Sequence, residues 1–277
     1  MTEGGTESPS LASSSDAAMR VYDDVMAARF QPWADLLLTS LGVTRGQAVL
    51  DVACGPGTVS GLAARRVGPR GRVTGCDLSS AMLSIARAKP PFPLSAPLEY
   101  LQCPADALRV ADASYDVAAC QQGLQFFDDR GRALDEMHRA LRPQGRVGIA
   151  VWCAIEECPP FACIASAVGK VLGGAPAAAY RNGPWGLTDG DELYRLVTDA
   201  GFVKVRVDRH QLPVVFDGGP AQLLETLAVS SLADDVTALP EPDRQGLLRA
   251  LQDAARPLLD AGAVRSYLTS HLVIAET

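Results

Sequence analysis

Between residues 46 and 152 the hydrophobic positions fall into two alternating rhythms. Short apolar runs closed by turn residues read as buried strands, and stretches with apolar side chains every three or four positions read as helices. QAVLDVA (47–53), RVTGCDL (72–78), LEYLQC (98–103), SYDVAACQQ (114–122) and GRVGIAVW (145–152) predict five strands. TVSGLAARRVG (58–68), SAMLSIARAK (80–89) and DRGRALDEMHRALRP (129–143) predict the helices between them, and Pro90, Pro91 and Pro93 close the second. Strands alternating with helices imply right-handed crossovers and a mostly parallel sheet.

The flanks follow other patterns. MTEGGTESPSLASSSD is polar and predicts a disordered tail over 1–16. Asp16 is placed to cap a helix, AAMRVYDDVMAARF, which Pro32 should break before WADLLLTSLG resumes and stops at Gly42. Residues 17–45 thus form an N-terminal helical lid. Beyond the core, FACIASAVGKVLG and DGDELYRLVTDAGF read as helices around a Gly/Pro stretch that holds Trp185. FVKVRVDRHQLPVVF (202–216) alternates as a strand, 220–261 is helical, and VRSYLTSHLVIAE (264–276) is a last strand. With no internal repeat, 153–200 and 217–263 read as helical cap insertions in a single domain over 17–277.

Composition narrows the class. The chain has 277 residues, 48% hydrophobic and 21% charged, enough for a sizeable core without staples. Its 25 basic and 32 acidic residues give a net charge of -7, which argues against a nucleic-acid partner. Lysine is confined to Lys89, Lys170 and Lys204, and this arginine- and alanine-rich usage suits a GC-rich bacterial gene. Seven cysteines without a C-x-x-C pair argue against a disulfide scaffold or a metal cluster. Cys153, Cys158 and Cys163, five apart, would scatter around a helix. No run approaches the ~20 apolar residues of a membrane span, and the first residues lack a signal-peptide pattern. These features predict a cytoplasmic protein.

The first strand–turn–helix, VLDVACGPGTVSGLA, carries the candidate chemistry. Gly55 and Gly57 permit a tight turn and close approach to a ligand. A dinucleotide-binding G-x-G-x-x-G would need Gly or Ala at position 60, where Ser60 stands, and no G-K-[ST] follows for a phosphate loop. Asp51, just before the glycines, would repel a pyrophosphate and suits a cationic ligand rich in donors. S-adenosylmethionine, with a sulfonium, an ammonium and no phosphate, is such a ligand. Asp77 ends the second strand, where a carboxylate can accept two ribose hydroxyls, and Asp106 follows the third, where it can accept from an exocyclic amine.

VLDVACGPG, GCDLSSAMLSIARAK, PADAL, YDVAACQQGLQFFDD and HRALRPQGRV together resemble the class I S-adenosylmethionine-dependent methyltransferases. Within them, the resemblance is to the ubiquinone/menaquinone-biosynthesis type that acts on small molecules. It implies an α/β, Rossmann-like, doubly wound sheet of seven strands, the last antiparallel beside the fifth and sixth. It also implies that Asp51, Ala53, Gly55 and Gly57 hold the methionine part, Asp77 the ribose, and Leu78 and Met82 the adenine. Asp106 and the Ala107 backbone would take the adenine amine and a ring nitrogen, and Gln121 would face the methionine moiety. Ala53 stands where many members carry glycine. Gln144 replaces a glycine of the R/K-P-G-G turn, where a local backbone adjustment is expected.

Methyl transfer from a sulfonium needs alignment and exclusion of water, and a base only when the acceptor must lose a proton. No residue is singled out as catalytic. His138 is expected far from the site, and His210 and His271 within strands. Tyr22, Phe30, Trp33, Gln125, Phe126, Trp152 and Trp185 are the candidates for an apolar acceptor pocket, and Asp128 or Asp129 should cap the next helix. No His and carboxylate cluster suggests a metal, and no Asn-Pro-Pro-aromatic motif follows strand four. Methylation of a small, apolar metabolite at oxygen or carbon is therefore favoured over nitrogen, with S-adenosyl-L-homocysteine as the product. The alternative is a cyclase or pericyclic enzyme that keeps the fold and cofactor. The expected form is a monomer or homodimer.

Overall fold

The computed structural model describes residues 22–277, so the tail over 1–16 and the Asp16 cap lie outside the described residues. A π-helical turn (Asp23–Ala27) leads into α1 (Ala28–Ser40). The core then runs β1 (Ala48–Val52), α2 (Thr58–Val67), β2 (Arg72–Asp77), α3 (Ser80–Ala88), β3 (Leu98–Gln102), β4 (Tyr115–Gln121), α4 (Arg130–Ala140) and β5 (Leu141–Trp152). After it come α5 (Pro159–Val171), α6 (Gly174–Asn182), α7 (Gly190–Asp199), β6 (Val203–Phe216), α8 (Gly219–Glu225), α9 (Ala233–Thr237), α10 (Glu241–Ala255), the two-residue β7 (Leu259–Asp260) and β8 (Ala263–Glu276).

The sheet order is β3-β2-β1-β4-β5-β8-β6, with β7 paired to β8. Strands β1 to β5 pair in parallel, and β8 runs antiparallel between β5 and β6. This is the expected doubly wound α/β sheet with its last strand reversed. Strand order turns back between β1 and β4, and such a switch point opens a crevice at the carboxyl ends of the strands. Every residue of β1 is buried, because helices cover both faces. On one face α1 presents Phe30, Trp33, Ala34, Leu37 and Leu38, the spacing of one helical stripe. It lies close enough that a Cβ at Gly148 of β5 would sit 2.7 Å from Leu41.

Two sequence expectations change. Pro32 does not break the first helix; α1 runs through it. The wider π turn just before it loosens the hydrogen-bond ladder where the proline supplies no N–H. The helix predicted to 143 ends at Ala140, and the R-P-Q-G segment opens β5. The residue before a proline is driven to extended backbone, here Arg142. Two positions of β4, Tyr115 and Val117, face Leu141 and Arg146, so the added length bulges out at Gln144. Gln144 itself lies in the left-handed region, φ +66°.

The stretch 153–200 also divides. Leu193 and Val197 of α7 are buried with Leu134, Met137 and Val273, so this helix covers a sheet face like the other crossover helices. Phe161, Ile164 and Val168 of α5 pack instead with Tyr180, Trp185, Leu247 and Leu251, a separate apolar cluster that also holds Phe30, Trp33 and Trp152. Helix α6 is additional to the sequence reading: its alanine-rich stretch has no clear apolar stripe, and only Tyr180 of it is buried.

Candidate functional site

At the end of β1 the chain enters the left-handed region at Ala53 (φ +57°), Gly55 (φ +52°) and Gly57 (φ +82°). Glycine tolerates this; Ala53 holds it with a methyl group in place. A Cβ at Gly123 would lie 2.6 Å from that methyl, so the glycine across the turn provides its space. The turn aims Asp51 inward. Its carboxylate is buried and accepts a hydrogen bond from Ser60 Oγ at 2.5 Å. Loss of hydration pushes its pKa up to about 7, against the lowering effect of the Ser60 bond.

Asp77 ends β2 and ties two segments together. Oδ2 accepts from the Gly55 N–H at 2.8 Å and Oδ1 from the Ser79 N–H at 2.8 Å. Burial raises its pKa, and these backbone donors oppose the rise. Each oxygen keeps a second lone pair for a ligand hydroxyl. Gln121 ends β4; its Nε2 donates to the Phe30 carbonyl at 3.2 Å, and its Oε1 is buried without a partner.

Asp51, Ala53, Gly55, Gln121, Tyr22 and Phe30 line one cleft. Sequence reading named all six. The cleft also takes in Cys54 and Gln122, neither of which it singled out as a site residue. Tyr22 is held firmly protonated by burial and by the nearby Asp77 and Asp23 carboxylates. The expected adenine-side residues lie outside the lining of this cleft. Leu78 is 52% exposed, whereas Met82 is only 4% exposed, turned into the core as α3 packs on the sheet. Asp106 and Ala107 stand in the turn after β3, where the Ala107 N–H donates to the Pro104 carbonyl at 3.3 Å.

The acceptor candidates separate in space. Phe30 and Trp152 lie 5.4 Å apart, Trp33 meets Trp152 edge-on at 5.5 Å, and Tyr22 meets Phe30 at 6.2 Å. Trp33 and Trp152 are buried behind the roof of the cleft. Trp185 packs on Phe161 and Tyr180, at 5.4 and 5.5 Å, inside the cap cluster. Gln125 is buried and donates to Gln122 Oε1 at 3.0 Å, and Phe126 is 43% exposed. Asp129, not Asp128, caps α4 by accepting from the Arg132 N–H at 2.8 Å. His138 packs on Phe202, and His271 lies 3.0 Å from the Thr188 carbonyl; neither lines the cleft. Among the described residues no group of His, Cys, Asp and Glu gathers to hold a metal.

Two further residues complete the site from below: Ser60, bonded to Asp51, and Tyr100 of β3. Ser60 entered the sequence reading only as the residue that spoils a dinucleotide motif. Its spacing of nine from Asp51 carried no signal of contact.

This fold, with a carboxylate beside a glycine turn at its switch point, resembles that of class I methyltransferase domains. Residues 50–149 match the family described as methyltransferase domain. The chain is 37% identical over 116 residues to a ubiquinone/menaquinone biosynthesis C-methyltransferase of Klebsiella pneumoniae, covering 42% of this chain and 46% of the relative. It thus spans about half the length of the curated relatives it matches. Among solved structures it resembles Haemonchus contortus phosphoethanolamine N-methyltransferase 2 in complex with S-adenosyl-L-methionine, with a TM-score of 0.57 and 17% identity, covering 95% of this chain and 57% of that one. A [4+2]-cyclase superposes with a TM-score of 0.52 and 21% identity, covering 87% and 80%. At such identities these structures speak for the fold alone.

Proposed function

We propose that the protein transfers a methyl group from S-adenosyl-L-methionine to a small, apolar acceptor, at carbon or oxygen, and releases S-adenosyl-L-homocysteine. One observation carries this reading: Asp51 and Gln121, whose Oε1 is buried without a partner, line the same cleft as Gly55 of the turn. Two acceptors and no basic side chain suit an ammonium or sulfonium and repel a phosphate. When bound, the cofactor supplies an electrophilic methyl group. The chain's own residues do the rest. Asp51 and Gln121 Oε1 accept from the amino group, the glycine turn gives close backbone approach, and Asp77 accepts the ribose hydroxyls. Leu78, Asp106 and Ala107 mark the direction in which the adenine extends, with Met82 supporting that edge from beneath.

Tyr22 and Phe30 cover the methionine end and exclude water, which raises the strength of every polar contact below them. The acceptor approaches beside Phe30 and the Gln122–Gln125 amides, backed by Trp152 and Trp33. Phe126 stands at the rim, and Trp185 stiffens the cap behind. No side chain lining the cleft is a ready base at neutral pH other than Asp51, which is committed to Ser60. A carbon nucleophile, or an oxygen that ionises before attack, fits this lining. The same lack of a base supports the second reading, a cyclase that retains the cofactor. Among the described residues no helix is long and apolar enough to cross a membrane. A cytoplasmic monomer or homodimer that does not bind nucleic acid remains part of the proposal.

Titration calorimetry should give heat with S-adenosyl-L-homocysteine and none with NADH; the reverse result removes the proposal. Metabolite pools incubated with methyl-labelled cofactor should then yield a labelled apolar product. Tight cofactor binding with no labelled product from any pool would favour the cyclase reading.

A further inference from the structure

Beneath the glycine turn, two glycines make room for one phenol. A Cβ at Gly75 of β2 would lie 2.8 Å from both Ser60 Oγ and the Tyr100 ring, and one at Gly57 would strike the Tyr100 hydroxyl. Tyr100 therefore threads from β3 under β2 toward the first turn of α2. Its ring and the Ser60 side chain share the space that Gly75 leaves open, and its hydroxyl lies over Gly57. Ser60, wholly buried, gives its own proton to Asp51 Oδ2 at 2.5 Å. A hydroxyl has one proton, so in a hydrogen bond between the two Tyr100 is the donor.

We propose that Tyr100, Ser60 and Asp51 form a buried positioning chain in which Ser60 fixes the carboxylate that meets the ligand's amino group, so that ligand capture is coupled to release of a proton. The inference rests on the proposed function for the identity of the ligand. The hydroxyl bond favours the charged carboxylate, while the surroundings oppose it. The groups that face Asp51 are Asp77 from β2, Cys54 from the turn, Cys76 from β2, Cys120 from β4 and Tyr100 from β3, all acidic or neutral. Without ligand, Asp51 is thus about half protonated near pH 7. A cationic amino group arriving at its free oxygen favours ionisation, and the proton leaves to bulk water. Ser60 and Tyr100 touch no ligand atom and act through Asp51.

The test has two arms. In the first, the carboxyl of Asp51 in the ligand-free protein is titrated by carbon NMR in wild type, Ser60→Ala and Tyr100→Phe. Removing one hydrogen bond to a charged group should move the midpoint upward by about one to two pH units in Ser60→Ala. Tyr100→Phe, which keeps the ring, should move it less and in the same direction. Superimposable midpoints in folded variants would overturn the proposal. In the second arm, S-adenosyl-L-homocysteine affinity is followed from pH 6 to 9. Ser60→Ala should bind about 5- to 50-fold more weakly at pH 7 yet come within about twofold of wild type at pH 9, the ratio of ionised fractions for a midpoint moved up by one to two units. A loss equal at every pH would reduce Ser60 to packing and overturn the coupling. Failure of wild type to bind this ligand, with the NMR shift intact, would refute the proposed function and not the chain.

Discussion

Asp77 offers a direct test of how the site is built, because one carboxylate holds two backbone segments and is also assigned a ligand contact. Its oxygens accept from Gly55 and Ser79, each at 2.8 Å. Asp77→Ala leaves both N–H groups without an acceptor in a partly buried turn. Hydrogen bonds to charged groups contribute about 1.5–3 kcal/mol each, and water reaching the turn recovers part of this. A net loss of about 2–4 kcal/mol is expected for the ligand-free protein. Asp77→Asn keeps one acceptor oxygen but turns an NH2 toward the other N–H, so it should lose about half as much. Urea unfolding at one fixed pH measures both, with the slope unchanged if the unfolded state is unaffected. Calorimetry on the same variants reads the second role: Asn still accepts one ribose hydroxyl, and Ala accepts none. Affinity for S-adenosyl-L-homocysteine should fall about 10- to 100-fold in Asp77→Asn and further in Asp77→Ala. Wild-type stability in Asp77→Ala would refute the structural argument. Lost stability with unchanged affinity would refute the ribose assignment alone.

Two more predictions follow from the backbone and from burial. Gln144→Gly should stabilise the protein by about 1 kcal/mol, because an exposed non-glycine residue at φ +66° carries a steric cost that glycine lacks; a urea midpoint that does not rise would show that the strain is relieved elsewhere. The folded chain raises the Asp51 pKa from 3.8 to about 7, so between these values it binds more protons than the unfolded chain. The stabilisation from this group is complete below about pH 4 and is lost as pH rises through 7, at up to about 1.4 kcal/mol per unit. Asp51→Asn should lack that decline, and parallel stability curves for the two proteins between pH 5 and 7 would contradict it.

Much of the core was legible because a buried strand needs an uninterrupted apolar run and each run here ends in turn residues. The strand–helix alternation over 47–152 therefore maps onto β1 to β5 with shifts of a residue or two, apart from the start of β5. That start was misread because Leu141 continues the apolar stripe of α4, while the residue before Pro143 is pushed into extended backbone. Pro32 misled for the opposite reason: a local rule about a missing N–H gave way to a helix held by five buried side chains. In the late segment, helical periodicity identified α5 and α7 alike but could not assign one to the cap and the other to the sheet.

The candidate site shows the same division. Asp51, Gly55, Asp77 and Gln121 could be read from the chain because a parallel sheet delivers the ends of successive strands to one edge, and order along the chain already implies that edge. The aromatic residues could not be sorted so, since a tryptophan packs equally well against a ligand or a neighbour; only the fold places Trp152 behind Phe30 and Trp185 within the cap. Ser60 of α2 and Tyr100 of β3 occupy the space left open by Gly57 of the turn and Gly75 of β2. The sequence by itself determined the α/β class, the strand edge and the carboxylates on it, because these follow from local periodicity and short-range spacing. The tertiary structure alone decided the charge state of Asp51 and the partner that holds it, because burial and contact between distant residues exist only once the layers have packed.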